Sequence, residues 1–140
     1  MRKIILAILP VLLILGSVLS AEKKQLFNSW QELFPDQVER IYIIMKDRTF
    51  FEHTDHYENK INVNIGLLEE DLKRIKGKNY SIKDIAVVIH NHLKGCRFSP
   101  DDRKQYRRLK RYGFNGFFLL YCHSTKGVYD IEENKKGRGK

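Results

Sequence analysis

The chain has 140 residues, of which 26 are Lys or Arg and 17 are Asp or Glu, for a formal net charge of +9. With 42% hydrophobic and 31% charged residues, it has the material for one globular domain and its core, and the length excludes two domains of ordinary size. The basic balance is compatible with nucleic acid, anionic membrane surfaces or acidic polymers and does not by itself choose among them.

The first residues stand apart from the domain. "MRK" is a short basic start, "IILAILPVLLIL" is an apolar run containing Pro10, and "GSVLSA" supplies small residues before the polar "EKKQ". That order matches the three regions of a secretory signal peptide, with cleavage near Ser20 or Ala21. The apolar stretch from Ile4 to Ala21 is close to the lower limit for spanning a bilayer, so retention as an N-terminal anchor is the alternative. Either way the domain is expected to be exported, periplasmic or secreted, and membrane contact is expected only if the segment is uncleaved. Loss of residues 1–21 removes Arg2 and Lys3 and no acid, which takes the formal charge from +9 to +7.

Residues 22–133 form the expected domain. In "EKKQLFNSWQELF" the apolar residues Leu26, Phe27, Trp30, Leu33 and Phe34 recur three and four apart, predicting a helix stopped by Pro35. "ERIYIIMK" is β-branched, aromatic and apolar on both faces, as a central strand is, whereas "RTFFEHTDHYE" reads as a more polar strand suited to an edge. "INVNIG" is either a short strand or an extended lead-in to the helix "LLEEDLKRIKGK", which Gly77 closes. "DIAVVIHNH" is a second buried strand, and "SPDDRKQYRRLKRYG" is a helix with a strong start and a glycine stop. "FNGFFLLYCH" and "GVYDIEE" complete the strands, leaving residues 134–140, "NKKGRGK", as a basic disordered tail. Helices set between strands imply a mixed α/β fold, a mixed central sheet packed against helices.

The chemistry concentrates in "HNHLKGCRFSPDD", residues 90–102. Side chains two apart in a strand point the same way, so His90 and His92 share a face while Asn91 points to the other. In the following helix Asp102, Tyr106, Leu109 and Gly113 recur at intervals of four, three and four, which puts Asp102 on the buried side. A buried carboxylate needs a compensating partner, and a zinc ion held by the two histidines is one. "SPDD" is also what a helix start contains on its own account: Ser99 as N-cap, Pro100 at the first position and acids at the positive end of the dipole.

In order and spacing, His90, His92, Ser99 and Asp102 resemble the JAMM (MPN-type) zinc metallopeptidase motif, Glu followed by His-x-His, seven residues and Ser-x-x-Asp; the Asn between the histidines is most similar to the RadC branch. The resemblance covers residues 37–133. It implies Zn2+ bound by His90, His92 and Asp102, Ser99 stabilising an oxyanion, and Glu39, just before the first central strand, as the catalytic glutamate. Two imidazoles and one carboxylate leave a fourth position for water, the arrangement of a catalytic zinc, and the implied reaction is hydrolysis of a peptide or isopeptide bond in a peptide or protein substrate. This chain has six residues, Leu93 to Phe98, where the family has seven, and Leu93 where proline commonly follows the second histidine.

Other features compete. Cys96 and Cys122, the only cysteines, allow one disulfide in an oxidising compartment, while Cys96 as a third ligand beside His90 and His92 is the rival use of that thiol. His53 and His56 in "EHTDH" read as a solvated loop, and His123 is either a supporting residue or without a role. Arg103, Lys104, Arg107, Arg108, Lys110 and Arg111 on the helix after Ser99 give a second functional reading, a basic domain that binds nucleic acid or another polyanion, although export argues against a role on genomic DNA. A third is a JAMM-like interaction module without catalysis.

Overall fold

A computed structural model describes residues 29–53 and 63–133. The leader and anchor expectations, His56 and the basic tail lie outside the described residues. Among the described residues no helix is long and apolar enough to cross a membrane.

Five strands form one sheet: β1 (Ile41–Met45), β2 (Phe50–His53), β3 (Ile85–His92), β4 (Phe117–Cys122) and β5 (Gly127–Asp130), in the order β2-β1-β3-β4-β5. β3 and β4 run parallel and the other three pairings are antiparallel. The fold is thus the mixed α/β sheet expected, with "FFEH" at an edge and the two apolar strands inside. The parallel pair requires a crossover, and helix α2 (Pro100–Arg111) supplies it. Helix α1 (Ile65–Arg74) precedes β3; Asn64 caps it by accepting the Leu67 N–H at 3.2 Å, and Lys73 and Arg74 lie in its last turn, where the dipole favours cations. "INVNIG" is a lead-in where it is described, since residues 63 and 64 precede α1 without strand pairing.

Both helices cover the same face of the sheet. Ile65, Leu68 and Leu72 of α1 and Tyr106 and Leu109 of α2 pack with Ile41, Ile43, Val88, Phe118 and Leu120 in one core. The opposite face, with Ile44, Val87, Ile89, Leu119 and Tyr121, is closed by Trp30, Leu33 and Phe34, and Phe34 stacks on Tyr121 with ring centroids 5.1 Å apart. Each large apolar side chain buried this way contributes about 1.5–3 kcal/mol. The segment carrying those three residues is a 3-10 turn over Trp30–Leu33 in its described part, not the longer helix expected. The three-and-four spacing still aims its apolar residues at the sheet, because one turn suffices for that.

An irregularity in β3 sets which face the histidines occupy. Ile44 pairs with Val87 but Met45 pairs with Ile85, so Ala86 is an extra residue on β3. Such a bulge resets the alternation, and Ile85 and Val88 consequently share the helix-covered core while Ala86 and Val87 face the other. Gly116, just before β4, crosses this bulge so closely that a Cβ there meets the Ala86 carbonyl oxygen at 2.2 Å. Only glycine fits that approach.

Candidate metal centre

The end of β3 and the first turn of α2 meet on the helix-covered face. His90 and His92, the last residues of β3 on that side, direct Nε2 at one carboxylate: His90 Nε2 lies 3.2 Å from Asp102 Oδ1 and His92 Nε2 3.3 Å from Asp102 Oδ2. One ligand atom from each of the three residues falls within 4.8 Å of the others. His90 and Asp102 are buried and His92 is partly so. This His-His-Asp group is positioned to hold a metal ion.

The helix start brings Asp102 into place. Ser99 Oγ accepts the Asp102 N–H at 3.1 Å, and the Ser99 N–H donates to Asp102 Oδ2 at 2.6 Å, the reciprocal pair of a capping box. Cap and ligand are therefore not alternatives: the bond from Ser99 fixes the rotation of the carboxylate, as outer hydrogen bonds commonly do for metal-ligating carboxylates. The six-residue loop from Leu93 to Phe98 is long enough to bring Asp102 to both histidines. Gly95, at φ +81°, gives that loop its left-handed residue.

His90 is the least satisfied member. Its ring lies between Phe98 and Phe118, with centroids 6.1 and 5.4 Å away; Nδ1 is buried without a hydrogen-bond partner among the described residues, and Nε2, although 3.2 Å from Asp102 Oδ1, is not aligned for a hydrogen bond to it. A buried polar atom left unpaired costs about 1–3 kcal/mol. A cation at Nε2 relieves one of these deficits and lies against the Asp102 charge, so the donor set fits a metal.

Burial alone raises the Asp102 carboxyl, but its contacts with His90 and His92 outweigh it and hold the group well below the usual carboxylate range. His92 is raised above its ordinary value of 6.5, first by Asp102, with burial opposing, and in smaller part by Glu39. Metal binding near pH 6 must therefore expel the His92 proton. Apparent affinity rises with pH by up to about tenfold per unit below the raised His92 value and levels above it. Calorimetric titration with Zn2+ in two buffers of different ionisation enthalpy checks this, with release of about one proton at pH 6 as the expected result.

Glu39 is half-buried, two residues before β1, and near enough to His92 to act on its charge. The antiparallel register that pairs Ile41 with His90 carries Glu39 toward His92 when extended by two residues. Arg40 turns its guanidinium away, to Asp36 and Glu52 at 3.0 and 3.1 Å. Asn91, which sequence reasoning assigned only to the opposite face, is buried there and bonds to both neighbours of Glu39 and to His123; its partners are 32 to 53 residues away in sequence, and no local pattern announces them.

Cys96 and Cys122 are joined in a disulfide, with α-carbons 5.2 Å apart. This removes Cys96 as a thiolate ligand. Cys122 is the register partner of His92, so the bond ties the 93–98 loop to the strand beside His90 and His92. Replacing both cysteines by serine is expected to cost about 3.5 kcal/mol, the loop-entropy value for a ring of this size, and to weaken Zn2+ binding. Denaturant unfolding and metal titration of the variant check both effects.

His53 departs from the solvated loop expected for it. It ends β2, is 1% exposed, and its Nδ1 lies 2.8 Å from Asp71 Oδ2 on α1. The helix covers this end of the edge strand, and its acid takes up the ring. No protein-family model, curated protein or solved structure matches the chain.

Proposed function

We propose that this domain is an exported zinc-dependent metallopeptidase that hydrolyses peptide or isopeptide bonds. The observation that carries the reading is the convergence of His90, His92 and Asp102, with one ligand atom of each within 4.8 Å of the others, while neither His90 nitrogen makes a hydrogen bond among the described residues. The similarity of these residues, with Ser99 and Glu39, to the JAMM motif supports it, as does the influence of Glu39 on His92. Two histidines and a carboxylate form a three-residue set typical of catalytic zinc sites. A Zn2+ ion there supplies Lewis acidity, polarising a carbonyl and making water nucleophilic near neutral pH. In this reading Glu39 takes a proton from the attacking water as the C–O bond forms, and delivers it to the amine nitrogen as the C–N bond of the resulting tetrahedral adduct breaks. Ser99, whose Oγ already accepts the Asp102 N–H, retains an O–H that can donate to the developing oxyanion.

The test is hydrolysis of a diverse quenched-fluorescent peptide library and an isopeptide-linked set by the Zn2+-loaded domain. Activity that a chelator abolishes and Zn2+ restores is expected. A domain that binds zinc stoichiometrically and cleaves neither set is instead the metal-binding interaction module.

One observation favours a second reading. Lys104, Arg107, Arg108, Lys110 and Arg111 are exposed on α2, and none forms an ion pair with a described acid. This face is suited to a polyanion. Binding to a nucleic acid that falls steeply with salt and persists in chelator identifies that role.

A further inference from the structure

We propose that Asn91 is a positioning residue for Glu39: its buried amide spans the chain on both sides of Glu39, and His123 occupies the remaining bond. The inference rests on the general-base reading of Glu39.

Asn91 is 1% exposed. Its Oδ1 accepts the Arg40 N–H at 2.6 Å and its Nδ2 donates to the Val38 carbonyl at 2.9 Å. Both partners are backbone groups of fixed polarity, so the orientation of the amide follows from them. The second Nδ2 hydrogen faces His123 Nε2 at 2.8 Å, which must then be an acceptor, with the imidazole proton on Nδ1. The His123 ring stands edge-on to Tyr121, centroids 5.2 Å apart, and is held in that direction.

The backbone gives a reason for this arrangement. β1 begins at Ile41 while β3 continues to His92, and the last main-chain bond between them, Asn91 N–H to the Arg40 carbonyl, is stretched to 3.4 Å. Beyond that point the 38–40 segment leaves the ladder, and a side chain from β3 bridges the gap that backbone pairing no longer closes. The two bridged groups are the carbonyl before Glu39 and the N–H after it. The residue between them is the one that the β1–β3 register, extended two residues beyond the Ile41–His90 pair, sets opposite His92. His90, Asn91 and His92 thus divide the work by alternation: the outer two face the metal position, and the middle one holds the acid from behind.

The experiment uses the full chain as wild type, Asn91→Leu, Glu39→Gln and the double variant. In wild type the Arg40 amide proton is expected to exchange slowly, and in Asn91→Leu at least about tenfold faster, with Zn2+ stoichiometry unchanged. In Zn2+-dependent peptide hydrolysis, Asn91→Leu is expected to lower kcat by up to about a hundredfold, the scale for a small misplacement of a reacting group. KM should be unchanged, and the substitution should have no further effect in the Glu39→Gln background. An Arg40 amide in wild type that exchanges at the rate of an unfolded chain overturns the proposal without reference to activity, as does loss of Zn2+ in Asn91→Leu. A drop in kcat that adds to that of Glu39→Gln also overturns it. A fully active Glu39→Gln chain refutes the general-base reading instead. If Asn91→Leu does not fold, Asn91→Asp keeps the acceptor for Arg40 and loses the donor to Val38; slow Arg40 exchange with reduced kcat is then expected, and unchanged kcat overturns the proposal.

Discussion

Replacing His90 and His92 together by alanine is expected to abolish stoichiometric binding of Zn2+. Each imidazole reaches the shared point through Nε2, and each touches a different oxygen of Asp102; without them the carboxylate remains, held by Ser99, and one carboxylate does not retain the ion. The effect is also visible in stability. A ligand present at a thousand times its Kd stabilises the folded state by about 4 kcal/mol, so thermal unfolding of wild type is expected to shift upward with Zn2+ and that of the variant to stay unchanged. Metal content that survives in the double variant means that the ion sits elsewhere.

Glu39→Gln separates chemistry from binding. Glu39 belongs to the 38–40 segment and not to the group that converges on the metal position, so under the proposed function the variant is expected to keep its fold and bound Zn2+ and to lose amide hydrolysis by at least about a hundredfold, the lower end for removal of acid–base help. Retained activity assigns proton transfer to another acid. Glu52 is poorly placed for that role: it is the register partner of Tyr42, on the face away from the triad, and binds Arg40 at 3.1 Å. Glu58, the next upstream acid, lies outside the described residues.

Much of this site was legible in the sequence because two short-range periodicities carry it. The two-residue alternation of a strand put His90 and His92 on one face, and the four-three spacing of Asp102, Tyr106 and Leu109 gave the buried side of α2. Both depend on backbone geometry alone. What joined them in space did not: the bulge at Ala86 decides which core the histidines face, and nothing in "DIAVVI" marks it. The cap-or-ligand ambiguity of "SPDD" was real at the level of composition, and it dissolved because the two oxygens of Asp102 serve both purposes. Proximity of Cys96 to Cys122, the engagement of His53 by Asp71, and the span of Asn91 from Val38 to His123 all depend on tertiary neighbours that one-dimensional spacing does not encode. The 3-10 turn at Trp30 shows the reverse case, where an apolar pattern correct for burial does not fix the length of the element that carries it.

The most direct test of the central claim, that His90, His92 and Asp102 hold a metal ion, is X-ray absorption at the zinc edge on the full chain loaded with one equivalent of Zn2+. The predicted spectrum has two imidazole nitrogens and carboxylate oxygen at about 2.0–2.2 Å and no sulfur shell. A sulfur shell near the roughly 2.3 Å of zinc thiolates, a single imidazole, or failure to retain one ion per chain contradicts it.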